Sequence, residues 1–386
     1  MITSDEKLLF ELIKVALGKS SEYVLPKTLD WDTLFRLSMK QCVPAIVLDG
    51  LNHSLTLGNI RNSESQEKWR TNKLKWLGMM LNMEKQYAKH ESTIADLATF
   101  YMENGFRMML LKGYNLSKYW PIPNHRPTGD IDIFLMDVVP PEKNGVSATW
   151  KRADKILKDK LSIEADNSHH HHSVFTYKGI MVENHFDFVN VHSHQSNQWI
   201  EKVFKDLAVS EYESYTLYNG VDILFPSPLF NCLFVARHNA IHFAAEHLNL
   251  RQLLDWILFV EKRNEDIDWN RFWNISKTMG MDKFVLCMVF IAVDYLSFKE
   301  SLFHIPDEYV KFKTSEQDLI YNVLNNILHP MDNQSNGKGF TYIVNRYKLW
   351  KQNLWKHKIV YSDSIISTFF AQLKSHLMKP STIFGM

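Results

Sequence analysis

The sequence has little that could hold a chain together from outside its own core. Three of its 386 residues are cysteine, Cys42, Cys232 and Cys287. An odd, scattered set with apolar neighbours excludes a disulfide framework or a cysteine zinc site and reads as reduced core thiols. Charge of one sign is missing too: 44 Lys and Arg face 43 Asp and Glu, a formal net charge of +1. That excludes a global basic field for capturing nucleic acid, so any such partner would need a local patch. Long hydrophobic runs are absent. The richest, Phe284 to Val293, falls well short of the roughly 20 residues that span a bilayer. The first residues, Met1-Ile-Thr-Ser-Asp-Glu-Lys, lack the basic and apolar regions of a secretory signal, so the expected location is cytoplasmic, with no membrane partner.

What is there suits a globular protein of two or three domains: 45% hydrophobic and 23% charged residues. Helical spacing dominates the first hundred positions. Ser4 is the expected N-cap of a first helix striped by Leu8, Leu9, Leu12, Ile13 and Ala16 and ended at Gly18. A second helix starts near Asp30, and a long helical stretch runs from Glu67 to Asn104. At Phe106 the pattern becomes a compact apolar run to Leu111, the length of a buried strand, closed by Lys112-Gly113. A short helix from Tyr114 to Tyr119 and a proline-rich loop through Arg126 lead to a strand from Asp130 to Leu135, in which Ile131, Ile133 and Leu135 alternate with Asp130 and Asp132. After a helix from Trp150 to Leu161, the strands His172 to Tyr177 and Ile180 to Phe188 form a hairpin about Lys178-Gly179. The second carries Glu183, His185 and Asp187 on one face. A further hairpin around Asn219-Gly220 precedes helices from Leu229 onward, ending in a stripe from Ile365 to Leu377. The layout is α+β: a small mixed sheet at 105–226 between an N-terminal helical region at 1–104 and a C-terminal helical domain at 227–386.

Two aspartates one residue apart on a strand project side by side, with apolar alternates anchoring them. Mg²⁺ prefers hard oxygen donors and takes one or two carboxylates plus phosphate oxygens. A third carboxylate, Glu183 or Asp187, is available on another strand.

Leu110-Leu111-Lys112-Gly113, Leu116, Tyr119, Pro121, Arg126, Gly129-Asp130-Ile131-Asp132 and Val182-Glu183-Asn184-His185-Phe186 together resemble the little-characterised bacterial nucleotidyltransferase-like family of the polymerase-β superfamily. The likeness extends upstream to Asp30-Trp31-Asp32 and Val43-Pro44-Ala45, and downstream to Arg237-His238, His242, Arg251 and Asp255. It implies a sheet that presents Asp130, Asp132 and Glu183 to Mg²⁺ or Mn²⁺, with Lys112, Gly113, Arg126, Gly129 and His185 about the nucleotide. The implied reaction moves a nucleotidyl group from an NTP, ATP foremost, to an acceptor hydroxyl on a small molecule, sugar, protein or RNA end. One departure stands out: Gly113 is followed by Tyr114, where the wider superfamily has Gly or Ser, which favours the alternative of a non-catalytic nucleotide- or partner-binding module.

Other features have plainer readings. The run His169 to His172 invites metal binding, but without spaced partners it reads as adventitious. Lys112 and Arg126 suit phosphate or an acidic partner equally. His238, Glu246, Arg251 and Asp255 suit the base or acceptor side of a cleft, though for Glu246 and Arg251 ordinary helix packing with exposed polar faces is the better reading. The basic and aromatic segment Arg346 to Lys358 has helical spacing and reads as a packed stripe with a solvated face. Replacing Asp132 by Asn should relieve repulsion within the acidic cluster and raise the melting temperature of the metal-free protein.

Overall fold

The computed structural model describes residues 2–21, 29–54, 63–139, 149–245, 247–330 and 351–366, with isolated positions at 23, 25, 26, 348 and 368. Glu246, Arg346, Tyr347, Trp350 and the 369–377 part of the closing stripe lie outside the described residues.

Helices α1 (Ser4–Ala16), α2 (Trp31–Lys40) and α3 (Pro44–Ser54) pack together at the N-terminus. The cap of α1 is Thr3 and not Ser4. Glu6 stands three residues beyond Thr3, so its carboxylate accepts from Thr3 N while Thr3 Oγ1 accepts from Glu6 N; this reciprocal box is out of register from Ser4. Asp30 caps α2 by accepting from the amides of Asp32 and Thr33. Helix α4 runs unbroken from Ser63 to Glu103, 41 residues, a rod of about 60 Å at 1.5 Å per residue.

Six strands form one mixed sheet: β1 (Phe106–Leu110), β2 (Ile131–Asp137), β3 (His172–Tyr177), β4 (Ile180–His185), β5 (Tyr212–Thr216) and β6 (Asp222–Pro226), in the order β3-β4-β2-β1-β6-β5. The pairs β2/β4 and β1/β6 are parallel and the rest antiparallel. Short α5 (Tyr114–Ser117) follows β1, α6 (Thr149–Leu161) precedes β3, and α7 (Gln195–Ser210) joins β4 to β5. Helices α8 (Pro228–Ala245) and α9 (Leu250–Arg263) and the helices beyond them complete the molecule.

The sheet separates two apolar cores. On its back face Ile131, Ile133, Leu135 and Val182 pack with Ile94, Leu97 and Tyr101 of α4 and with Ala153 and Leu157 of α6. On its front face Phe134 and Phe188 join a larger core that includes Phe204 of α7, Phe230 and Phe234 of α8, and Trp256 of α9. The first half of α4 belongs to that larger core through Trp69 and Trp76, so one helix is shared by both. Among the described residues no helix is long and apolar enough to cross a membrane.

Candidate active site

The front face carries the chemistry. Parallel pairing sets Asp132 opposite Glu183 and Phe134 opposite His185; alternation then turns Asp132, Glu183 and His185 to the same side. Asp130 lies one residue before β2. All eight residues singled out in the sequence (Lys112, Gly113, Arg126, Gly129, Asp130, Asp132, Glu183 and His185) line one cavity of about 470 Å³ between this face and helices α8 and α9. Asp187, the alternative third carboxylate, is absent from the lining and is paired with Lys205 of α7. Glu201 of the same helix accepts from the amides of Phe188 and Val189, so α7 secures the chain as it leaves β4.

The loops are held from behind. Gly113, at φ +64°, makes the turn out of β1 that a side chain would strain. The amides of Leu116 and Ser117 are bonded back to Gly113 O within that turn. Nε2 of His90 on α4 lies 2.6 Å from Gly129 O, which fixes the residue before Asp130. Tyr114 donates to Glu91 at 2.6 Å, tying the departure from the superfamily pattern to α4. Arg126 is bound in two places to Asp255 of α9, through Nε at 2.7 Å and Nη2 at 2.8 Å, and Trp120 Nε1 donates to the same carboxylate at 2.9 Å. Arg126 and Asp255 are therefore a buried, forked ion pair at the cavity wall. Lys112 instead joins the acidic cluster, with Nζ 2.9 Å from Asp132 Oδ1.

His185 Nε2 approaches that same oxygen at 3.2 Å and Glu183 Oε2 at 3.5 Å, while Nδ1 faces Asp187 O at 3.2 Å. Burial works against the charge on His185, yet its bonds to Asp132 and Glu183 prevail and raise its pKa to about 9. Burial would likewise raise the pKa of Glu183, but His185 and Lys112 overcome it and hold the acid at about 2. Lys112 is half-buried, at a cost to its charge that Asp132, Asp130 and Glu183 outweigh, so its pKa lies above the ordinary value. At neutral pH Lys112 and His185 are thus positive and Glu183 negative.

Two neighbours of the site belong to the histidine run that reads as adventitious in the sequence. His171 and His172 line the cavity, and burial depresses their pKa values to about 2 and about 4. The signal was present. The Lys178-Gly179 turn, with both residues at positive φ, sets Tyr177 opposite Ile180, and counting back along the antiparallel pair brings His172 opposite His185. On the far wall stand His238, His242 and Arg251; Nε of Arg251 is buried without a hydrogen-bond partner. Among the described residues, two sets of side chains offer ligand atoms within 4.8 Å of one another: Asp132, Glu183 and His185, and His171, His172 and His185.

Residues 27–297 match the profile of a family described as uncharacterised nucleotidyltransferase. A solved structure described as an antigenic nucleotidyltransferase-like protein from Paracoccidioides brasiliensis shares 16% identity, with a TM-score of 0.32, over 45% of this chain and 75% of its own. A search of curated proteins returned no match. On the match that spans most of its length, the chain belongs to the uncharacterised nucleotidyltransferase family.

Proposed function

We propose that the cavity binds an NTP, ATP foremost, through a divalent cation, Mg²⁺ or Mn²⁺, and transfers the nucleotidyl group to an acceptor hydroxyl. The observation that carries this reading is the placement of Asp132 and Glu183 in register on neighbouring parallel strands, beside Asp130, at the floor of a cavity large enough for a ligand.

The donor set fits such a cation. Asp132 and Glu183 offer hard oxygen atoms that suit Mg²⁺, and Asp132 Oδ1 already receives two positive groups, Lys112 Nζ and His185 Nε2. A bound divalent cation would neutralise phosphate charge and favour ionisation of the acceptor hydroxyl. In the overall reaction the acceptor oxygen bonds to the α-phosphorus, the bond to the β-phosphate bridge breaks, pyrophosphate leaves with its electron pair, and the hydroxyl proton passes to water.

Asp132 would hold the cation together with Glu183, and Asp130, which lines the same cavity outside that set of ligand atoms, would join them. Glu183, which gives up its proton near pH 2, acts as a ligand and not as a base, since so weak a base gains little from a hydroxyl proton. Lys112 lies close enough to the carboxylates to follow the phosphates as a point charge. Arg126 is held in its fork by Asp255 and orients the loop that carries Gly129 and Asp130. Arg251, with its unbonded Nε, suits an anionic group of the nucleotide or the acceptor.

The test is incubation of the protein with each labelled NTP, Mg²⁺ or Mn²⁺ and a panel of hydroxyl acceptors, beside Asp132→Asn. Label should pass to an acceptor with the wild type alone. Metal-dependent NTP binding without transfer to any acceptor would replace the enzyme with a nucleotide-binding module.

A further inference from the structure

The second set of ligand atoms sits at the edge of the sheet. Cross-strand pairing holds His172 against His185, and the carbonyl of His171 accepts from the amides of Phe186 and Asp187, both at 3.0 Å. Main-chain bonds of the hairpin thus hold all three histidines beside one another. His172 is only 6% exposed, and its Nδ1 makes no hydrogen bond; Nδ1 of His171 is also buried and unbonded. Buried polar atoms nearly always find partners, and here two adjacent residues at a cavity wall leave a ring nitrogen without one.

Their surroundings indicate what is wanted. His172 Nδ1 stands 3.7 Å from Glu183 Oε2, too far for a hydrogen bond. His185 Nε2 stands 3.5 Å from the same oxygen. Two donors bound to one tetrahedral ion through bonds of about 2.1 Å are about 3.4 Å apart, close to both separations. Nδ1 of His185 faces the Asp187 carbonyl at 3.2 Å, the outer contact that orients a ligating imidazole, and an ion at Nε2 would displace the proton that Nε2 holds toward Asp132 Oδ1.

We propose that His171, His172 and His185, with Glu183 as fourth donor, form a site for a transition-metal ion, Zn²⁺ foremost. Imidazole suits Zn²⁺ and its neighbours, whereas Mg²⁺ keeps to oxygen. The site is separate from the phosphate-binding cation of the proposed reaction, though Glu183 stands between the two and can offer an oxygen to each. Glu183 belongs to the other set of ligand atoms and would close on the three imidazoles to complete four donors; the ion would then be enclosed, fixing Glu183 and His185 in place rather than presenting a water for chemistry. The site requires neither nucleotide nor acceptor.

The experiment uses the full chain, made without a histidine tag and stripped with a chelator. Co²⁺ is titrated in while visible absorption is recorded, and Zn²⁺ is then added as competitor. The expected result is one equivalent of tetrahedral Co²⁺, displaced by Zn²⁺. His172→Ala and His171→Ala should each weaken binding by more than about 100-fold, beyond the loss typical of outer contacts. Asp130→Asn and the double change His169→Ala with His170→Ala should leave it intact. Should His172→Ala fail to fold by circular dichroism, His171→Ala, at a half-buried position, still decides. Binding that survives both cavity substitutions, or that follows His169 and His170, would overturn the proposal. No nucleotide is present, so failure of nucleotide transfer leaves the result unaffected.

Discussion

Both faces of the sheet bury a carboxylate among polar neighbours, and the two behave in opposite ways. On the front, Glu183 meets His185 and Lys112 and its pKa is depressed to about 2. On the back, Asp154 of α6 accepts from Ser173 Oγ at 3.0 Å and from Asn184 Nδ2 at 3.2 Å, without a cation, and burial raises its pKa. Asn184 belongs to the same strand as Glu183 and His185. Strand alternation sends it to the far side, which explains a polar residue on an otherwise apolar face. Buried polarity alone therefore does not mark a site. The front face differs in carrying full charges of both signs next to open volume; the back face holds neutral donors around one acid, sealed in a core.

The largest effect should come from removing one front-face charge. Asp132→Asn should lower nucleotidyl transfer by about 100-fold or more, since the electrostatics of a metal-held transition state are worth several kcal/mol. It should also lower the melting temperature of the metal-free protein, contrary to the expectation of relieved repulsion. Asp132 Oδ1 compensates both Lys112 and His185, and losing a charge-assisted partner costs roughly 1–3 kcal/mol. Thermal melts of both proteins in a chelator check the sign; a higher melting temperature would mean that the carboxylates repel more than the cations attract.

Next in size is the fork between Arg126 and Asp255. Both are nearly buried, and breaking such a pair from one side typically costs about 3–5 kcal/mol. Arg126→Ala should lose that much by urea unfolding, whereas Arg126→Met with Asp255→Leu should recover most of it. Equal losses in both would show that the two residues act separately.

Acid and base should also separate the faces. Stability drawn from the depressed pKa of Glu183 is present above its unfolded value near 4.5 and fades as pH falls toward 2. Stability drawn from the raised pKa of His185 is full below 6.5 and fades as pH rises through about 9. The front cluster is therefore most stabilising between those limits. Asp154 runs the other way: its raised pKa lends stability at low pH that is lost as the acid ionises. Unfolding of Glu183→Gln and Asp154→Asn across pH 3 to 10, referenced to wild type, should give slopes of opposite sign in the acid range (about one carboxylate each).

The smallest effect belongs to the back face alone. Asp154→Asn keeps an acceptor for Ser173 and Asn184 and removes a charge that burial disfavours, so at neutral pH it should alter stability by no more than about 1 kcal/mol. A larger loss would mean that Asp154 is more than a neutral acceptor.

Much of this was legible in the sequence because it is local. Alternation gave the side of Asp132 and Glu183, the Lys178-Gly179 turn gave the β3-β4 hairpin, and apolar runs bounded by glycine gave most strands. Parallel pairing was not legible. Nothing near Ile131 or Val182 states that β2 lies beside β4, and that contact, between positions 51 apart in the chain, brings the carboxylates into register. The far wall of the cavity was legible only in part: His238 and Asp255 read as cleft residues but Arg251 as ordinary helix packing, since these residues meet the sheet only through packing of α8 and α9. Helix α7 went unread beside stronger signals, and with it the ion pair that engages Asp187. His172 could have been found by counting residues from the turn.

The central claim is that front-face carboxylates receive a cation together with the nucleotide. The direct measurement is calorimetric titration of ATP, GTP, CTP and UTP into the protein, with Mg²⁺ and again in EDTA. A triphosphate placed beside Asp130, Asp132 and Glu183 without a cation sets like charges against each other, so binding should require Mg²⁺. Equal affinity in EDTA would contradict the account.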